Sequence, residues 1–263
     1  RIPYTVTAEE ALDRRRFYKV PVSILEIVRA DNLFAPFRLF MYFKRVSTSG
    51  QMRITTQTIK LAATDLGISE KSVKRHLEIL QNRNWVGRFS SGGCIIRSFD
   101  KLRIIEKTAG RTAVWFDTKS HLKHIQEFVV SACLGKLAHR QQGKLWREKC
   151  LPGSESGNPN ERKQISLPTS YPIACDAMKQ IYGISKGTAF NWKRDANEAG
   201  FITVYKKLRP VAIDNVLEWM RANPDYAHRL IKRDDRYFIQ YPDKVKCNLK
   251  FTRRRSLSAL DKK

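Results

Sequence analysis

Two histidines, His121 and His124, stand three residues apart in a stretch of helical spacing, and five cysteines occupy positions 94, 133, 150, 175 and 247. Neither set completes a chemistry. A zinc site draws on Cys and His pairs at short spacing or on nearby carboxylates, and no C-x-x-C or carboxylate cluster accompanies these residues. No G-x-x-x-x-G-K-[ST] loop is present to cradle a nucleotide. Tyr171, Tyr205 and Tyr237 come without a pattern that would mark a nucleophile. The expectation is a non-enzyme with no metal and no cofactor.

The chemistry that remains is cationic. Fifty Lys and Arg stand against 25 Asp and Glu in 263 residues, a formal net charge of +25 and a pI near 10.1. A compact fold bears such self-repulsion poorly unless a polyanion sits beside it, and nucleic acid is the commonest one. No run of about 20 apolar residues exists to span a bilayer, and the opening residues do not read as a signal peptide. The odd cysteine set reads as reduced thiols, which fits a cytoplasmic, nucleoid-associated protein.

The cations and their polar neighbours fall into groups. Lys71, Ser72, Lys74, Arg75 and Glu78 face away from Val73, Leu77 and Leu80 on one helix. Arg75 could clasp the O6 and N7 of guanine with two hydrogen bonds. Lys186, Thr188, Asn191 and Arg194 take the same outward places further on, where Asn191 could read adenine. Arg88 and Arg97 flank the turn Ser90–Gly93, a hairpin tip suited to a phosphate backbone or minor groove. Near the end come Lys244, Lys246, Lys250, Arg253, Arg254 and Arg255, with no acid between Asp243 and Asp261. Val245, Cys247, Leu249 and Phe251 alternate there with Lys246, Asn248, Lys250 and Thr252, which puts apolar groups on one strand face and mostly basic ones opposite.

The elements that must position these groups are legible. Pro36 suits a helix's first turn, and that helix should stop at Ser47–Gly50 before a short strand, Gln51–Ile54. Thr55 or Thr56 caps a second helix with Ile59, Leu61, Ala62, Ala63 and Leu66 at helical spacing. Gly67 breaks it, because glycine adopts the left-handed conformation at little cost. Ser69 caps the next helix. Trp85–Arg88 and Cys94–Phe99 predict a hairpin, and Leu102–Glu106 with Thr112–Phe116 a second one.

The same grammar returns 116 residues later. Gly67-Ile68-Ser69-Glu70-Lys71-Ser72-Val73 aligns with Gly183-Ile184-Ser185-Lys186-Gly187-Thr188-Ala189, and Leu80, Trp85 and Val86 align with Ala196, Phe201 and Ile202. A tight turn between two helices projects the far face of the second one outward, where its N-terminal end can enter the major groove. Residues 33–99 and 167–255 resemble the winged helix-turn-helix domains of bacterial and phage DNA-binding proteins. The stretch Leu61–Arg75 is the most typical part. Two such domains in one basic chain also resemble, more distantly, plasmid and phage replication initiators. The second copy departs from the pattern through Phe190 and Trp192, and through a helical segment, Ile213–Lys232, before a hairpin of Arg236–Gln240 and Val245–Phe251.

The reading is mainly α with small β (α+β): two winged helix-turn-helix domains joined by a basic helix and a flexible linker. An arm (1–20) precedes a first domain (21–118), a basic connecting helix (119–150), a linker (151–166), a second domain (167–255) and a tail (256–263). The connecting helix carries an apolar stripe, Leu122, Ile125, Val129, Ala132 and Leu137, for packing or for a homodimer. The resemblance implies a site-specific binder of double-stranded DNA from a mobile element or phage, acting at a replication origin or promoter. The alternatives are an adaptor, with one domain on DNA and the other on a replication or transcription protein, and an RNA binder. The last lacks an RNP-type aromatic strand or KH loop.

Overall fold

The computed structural model describes residues 16–47, 49–89, 93–150 and 168–254. Helices and strands mix throughout, in agreement with an α+β class. The chain divides into two units, one running to Cys133 and taking back the segment from Leu249, the other spanning Leu134–Asn248. No helix among the described residues is long and apolar enough to cross a membrane.

In the first unit, β1 (Phe17–Pro21) leads into α1 (Val22–Ala30) and α2 (Phe34–Val46). Helix α2 buries Phe37, Phe40 and Phe43 completely, and Trp85 meets Phe40 edge-on at 5.7 Å between ring centroids. Then come β2 (Gln51–Arg53), α3 (Thr56–Leu66), α4 (Glu70–Asn82), β3 (Val86–Arg88) and β4 (Gly93–Ile96), with strand order β2-β4-β3. Thr55 and Thr58 form a reciprocal capping box at the start of α3, which satisfies two backbone donors that a helix start leaves open. Gly67 ends α3 at φ 63°. Beyond α5 (Phe99–Ile105), β5 (Thr112–Asp117) pairs with β1 on one edge and β10 (Phe251–Arg253) on the other. Arg16 clamps this sheet by donating twice to Asp117 at 2.8 Å. That clamp, with bonds from Lys119 N and Ser120, holds the Asp117 carboxyl well below the usual carboxylate range. A 3-10 turn, Leu122–His124, precedes α6 (Ile125–Cys150), whose first part, through Cys133, belongs to this unit and buries Phe128, Val129 and Ala132.

The second unit holds β6 (Tyr171–Pro172), α7 (Cys175–Tyr182), α8 (Lys186–Glu198), β7 (Ile202–Val211), α9 (Val216–Ala222), α10 (Pro224–Ala227), β8 (Leu230–Arg233) and β9 (Arg236–Cys247). Strand β9 pairs with β7 along most of its length and with β6 and β8 toward its two ends. The order β6-β9-β7 repeats β2-β4-β3: the strand before the two helices pairs with the last strand, which pairs with the strand after them.

Several expectations change. Leu102–Ile105 is helical, not a hairpin strand, because Ser98 accepts the Lys101 N–H as a cap and Phe99, Leu102 and Arg103 face inward together. Residues 213–232 are not one helix: α9 and α10 are short, broken at Asn223-Pro224, and Leu230–Arg233 is strand. Arg236–Cys247 is one strand, and its tight turn is Asp234-Asp235, both left-handed at φ 45° and 58°, the conformation that a two-residue hairpin requires. Residues 17–20, read as an arm, are a paired strand, and Phe251–Arg253, read as part of the second domain, pairs with β5. Leu61, expected inward, is 51% exposed. The rest of the arm, the linker at 151–166 and the tail at 256–263 lie outside the described residues.

Candidate nucleic-acid interface

Helix α4 starts where Ser69 Oγ accepts the Ser72 N–H at 3.1 Å. Its apolar stripe, Val73, Leu77 and Leu80, is buried, and that fixes which face points outward. Lys71, Lys74, Arg75 and Glu78 are all exposed on it. Neither the two lysines nor Arg75 forms an ion pair among the described residues. Three free cations at i, i+3 and i+4 on one face form a positive strip on a rigid rod. Among the described residues no acid pairs with these three, although Glu78 shares their face, so the strip stays open to an anion from outside. Ser72 serves the scaffold instead, its hydroxyl 2.9 Å from that of Ser69.

The arginines beside the first hairpin divide. Arg88 is exposed at the end of β3 and donates to the Gln81 side chain. Arg97 is half-buried and donates to Asn84 Oδ1 at 3.2 Å. Its guanidinium also lies over Gly87, where a Cβ would stand 2.9 Å from Nη2. It braces the base of the hairpin and is poorly placed to leave it. Residues 90–92 of the turn lie outside the described residues.

Helix α8 repeats the geometry with different surface chemistry. Ser185 accepts the Thr188 N–H at 3.0 Å, and the two hydroxyls stand 2.9 Å apart. Lys186 pairs with Asp176 at 2.8 Å, which raises its pKa. Arg194 pairs with Asp195 at 2.9 Å. Asn191 is exposed and Phe190 beside it is 54% exposed. Where Leu77 sits in the first copy, the second has Lys193, buried, donating to Asp243 Oδ2 at 2.7 Å and to the Ile173 carbonyl at 3.2 Å. Such a buried charge demands a partner. The sequence signal for it was a lysine on the inward stripe, with Asp243 as the last acid before the basic tail.

The C-terminal cations separate as well. Lys244 and Lys246 are exposed on β9, opposite Tyr205 and Thr203 of β7. Lys206 and Lys207, exposed at a bulge in β7, extend this patch, and Lys207 lies 5.0 Å from the Tyr241 ring centroid. The alternation that singled out Lys246 gave no hint of them, since a bulge breaks the period. Lys250 and Arg253 are exposed in the segment that joins the first unit. Arg254 is not an open contact: it donates to both Asp100 oxygens at 3.0 and 2.7 Å and to the Lys19 carbonyl at 2.6 Å. Burial opposes the charge on Asp100, yet Arg254 and Arg103 hold its pKa below the ordinary value. Arg255 lies outside the described residues.

Among the described residues no group of three His, Cys, Asp or Glu is placed to hold a metal. His121 instead accepts the Asp117 N–H through Nδ1 at 3.0 Å and stacks on Phe128. Compared with protein-family models, with curated proteins and with solved structures, the chain matches none.

Proposed function

We propose that this protein binds double-stranded DNA site-specifically, with each unit a winged helix-turn-helix and α4 as the principal reading helix. The observation that carries the reading is the outward strip of Lys71, Lys74 and Arg75, exposed and without an ion pair among the described residues. The repeated strand order and the two Gly-Ile-Ser turns support a duplicated scaffold. Arg75 reads a guanine, while Lys71, Lys74, Arg88, Lys244 and Lys246 neutralise phosphates. A plasmid or phage setting, at an origin or a promoter, follows the resemblance of two such domains in one basic chain to replication initiators, and a place with the nucleoid goes with it.

The test is selection of genomic fragments by the full chain, followed by affinity measurements over a range of salt. With about eight phosphate contacts, log K should fall against log salt with a slope near −7, from roughly −0.9 per contact. A flat dependence, or no enriched site, would end the reading. Direct repeats at an origin favour initiation, and a single operator favours regulation.

A second reading has its own observation. Phe190 occupies in α8 the place of Lys74 in α4, more than half exposed, and Lys186 and Arg194 are neutralised locally. This favours an adaptor whose second unit meets a replication or transcription protein.

A further inference from the structure

An open groove of about 500 Å³ runs between α4 and the small sheet of the first unit. Ile54, Ile59, Leu77, Cys94 and Phe89 give it an apolar lining. Phe37, Leu39, Phe40, Met41 and Phe43 of α2 are fully buried, but Ile54 and Ile59 are only half-buried and Phe89 is 39% exposed. The volume lies within the ordinary range of small-molecule sites, about 300–1,000 Å³.

The walls carry charge of a particular kind. Lys74 and Glu78 come from α4 and Arg88 from β3. Arg88 is held at the rim by the side-chain carbonyl of Gln81, itself a lining residue. Two cations and one carboxylate leave a single net positive charge beside an apolar lining. A monoanion with an apolar body complements that arrangement better than a dianion or a neutral molecule. The planar fork of an arginine also matches a carboxylate well.

We propose that this groove is a ligand site for an aromatic or medium-chain carboxylate, with its head between Lys74 and Arg88 and its body on Ile54, Ile59, Leu77 and Cys94. Binding stands independently of the DNA reading. The regulatory consequence rests on that reading: an ammonium engaged by the ligand is withdrawn from the duplex, and ligand and DNA then weaken each other's binding by the same factor.

The experiment titrates the full chain, carrying ¹³C-labelled isoleucine methyls, with 2-naphthoate and with octanoate. Neutral 2-naphthalenemethanol and inorganic phosphate are the controls. Saturable shifts at Ile54 and Ile59 are expected, with at least tenfold tighter binding of 2-naphthoate than of the alcohol and no response to phosphate. The double variant K74A/R88A changes two exposed side chains, so its fold should survive. It should bind 2-naphthoate only as well as it binds the alcohol. Silent isoleucines, equal binding of acid and alcohol, or an unchanged double variant would each overturn the proposal. Shifts with phosphate alone would reduce the site to general anion attraction and overturn it too. Carboxylate binding by a chain that holds no duplex leaves the groove standing and removes the DNA reading. Duplex binding beside a silent groove does the reverse.

Discussion

Lys74 in α4 and Phe190 in α8 hold the same place in two copies of one turn, and the residues around them diverge in step. Leu77 in the first copy is Lys193 in the second, His76 is Trp192, and Asp65 is Ile181. In the first copy Asp65 accepts the Tyr42 hydroxyl at 2.8 Å, whereas Ile181 is 52% exposed. The serine caps of α4 and α8, the left-handed glycines and the strand order do not diverge, although the Thr55 capping box of α3 has no counterpart at Ala174, which starts α7 without a side-chain cap. Backbone-determining positions are held by local stereochemistry, which any surface chemistry must respect. The outward positions are free of that constraint, so they record what each copy touches. The first copy leaves its cations open, and the second satisfies them from within its own unit.

The inward position gives the largest expected effect. Removing one member of a buried ion pair leaves the other charged and unsolvated, at a cost of about 3–5 kcal/mol. Asp243→Ala should therefore destabilise the second unit by about that much in urea unfolding of the full chain. The double change K193L/D243L should recover most of the loss, since apolar replacement of a buried pair is often close to neutral. If the double variant is as unstable as the single one, Lys193 and Asp243 are not a coupled pair and the contrast with Leu77 loses its meaning. Leu77→Ala in the first copy should cost about 2–5 kcal/mol through its cavity alone.

Duplex affinity comes next. The triple change K71A/K74A/R75A should weaken binding to the selected site by about two orders of magnitude, taking roughly 1–3 kcal/mol for the guanine contact and less for each phosphate. The matching change K186A/N191A/R194A should stay within about threefold, because two of its three side chains are already paired and a contact absent from the complex costs nothing when it is removed. Equal losses would make both helices readers and dissolve the division between the copies.

The scaffold itself was readable because its signals are short-range. Thr55, Gly67, Ser69, Gly183 and Ser185 each act within four residues of their own position; the last four lie where the sequence places them, and of the two candidate threonines it is Thr55 that caps. The long-range features were not readable. Phe251–Arg253 has the composition of any strand, and only the fold shows it lying against β5 and drawing Arg254 onto Asp100. Helix α5 was misread because Leu102, Ile104 and Ile105 suit a strand as well as a helix, and Ser98 decides between them. The candidate interface was partly legible. Inward spacing exposed Lys71, Lys74 and Arg75, but nothing in the spacing of Lys186 and Arg194 revealed that Asp176 and Asp195 neutralise them.

A smaller effect checks that the shared scaffold is shared in energy. Ser69→Ala and Ser185→Ala each remove a side-chain acceptor from a helix start and should cost about 1 kcal/mol apiece. Chemical denaturation that finds one cap at that cost and the other silent would show that only the shape has been duplicated.

The smallest effect turns on His76, for which the second copy has Trp192. The His76 pKa lies below its ordinary value, first through burial and then through repulsion from Arg75, and its Nδ1 is buried without a hydrogen-bond partner. The unfolded chain therefore takes up this proton before the folded chain does. Stability from this group is complete above the ordinary histidine pKa of about 6.5 and declines as pH falls through it, because the unfolded state binds more protons there. His76→Gln should flatten the urea midpoint of the first unit between pH 7.5 and pH 5.5 relative to the parent chain, and the difference between the two chains isolates this histidine from the other four. The midpoint of the second unit should be indifferent to the change. A parent chain whose first-unit midpoint falls no more between pH 7.5 and pH 5.5 than that of the His76→Gln chain would mean that the imidazole charges freely in the folded state, and α4 would then gain a further cation on acidification where α8 has only an indole.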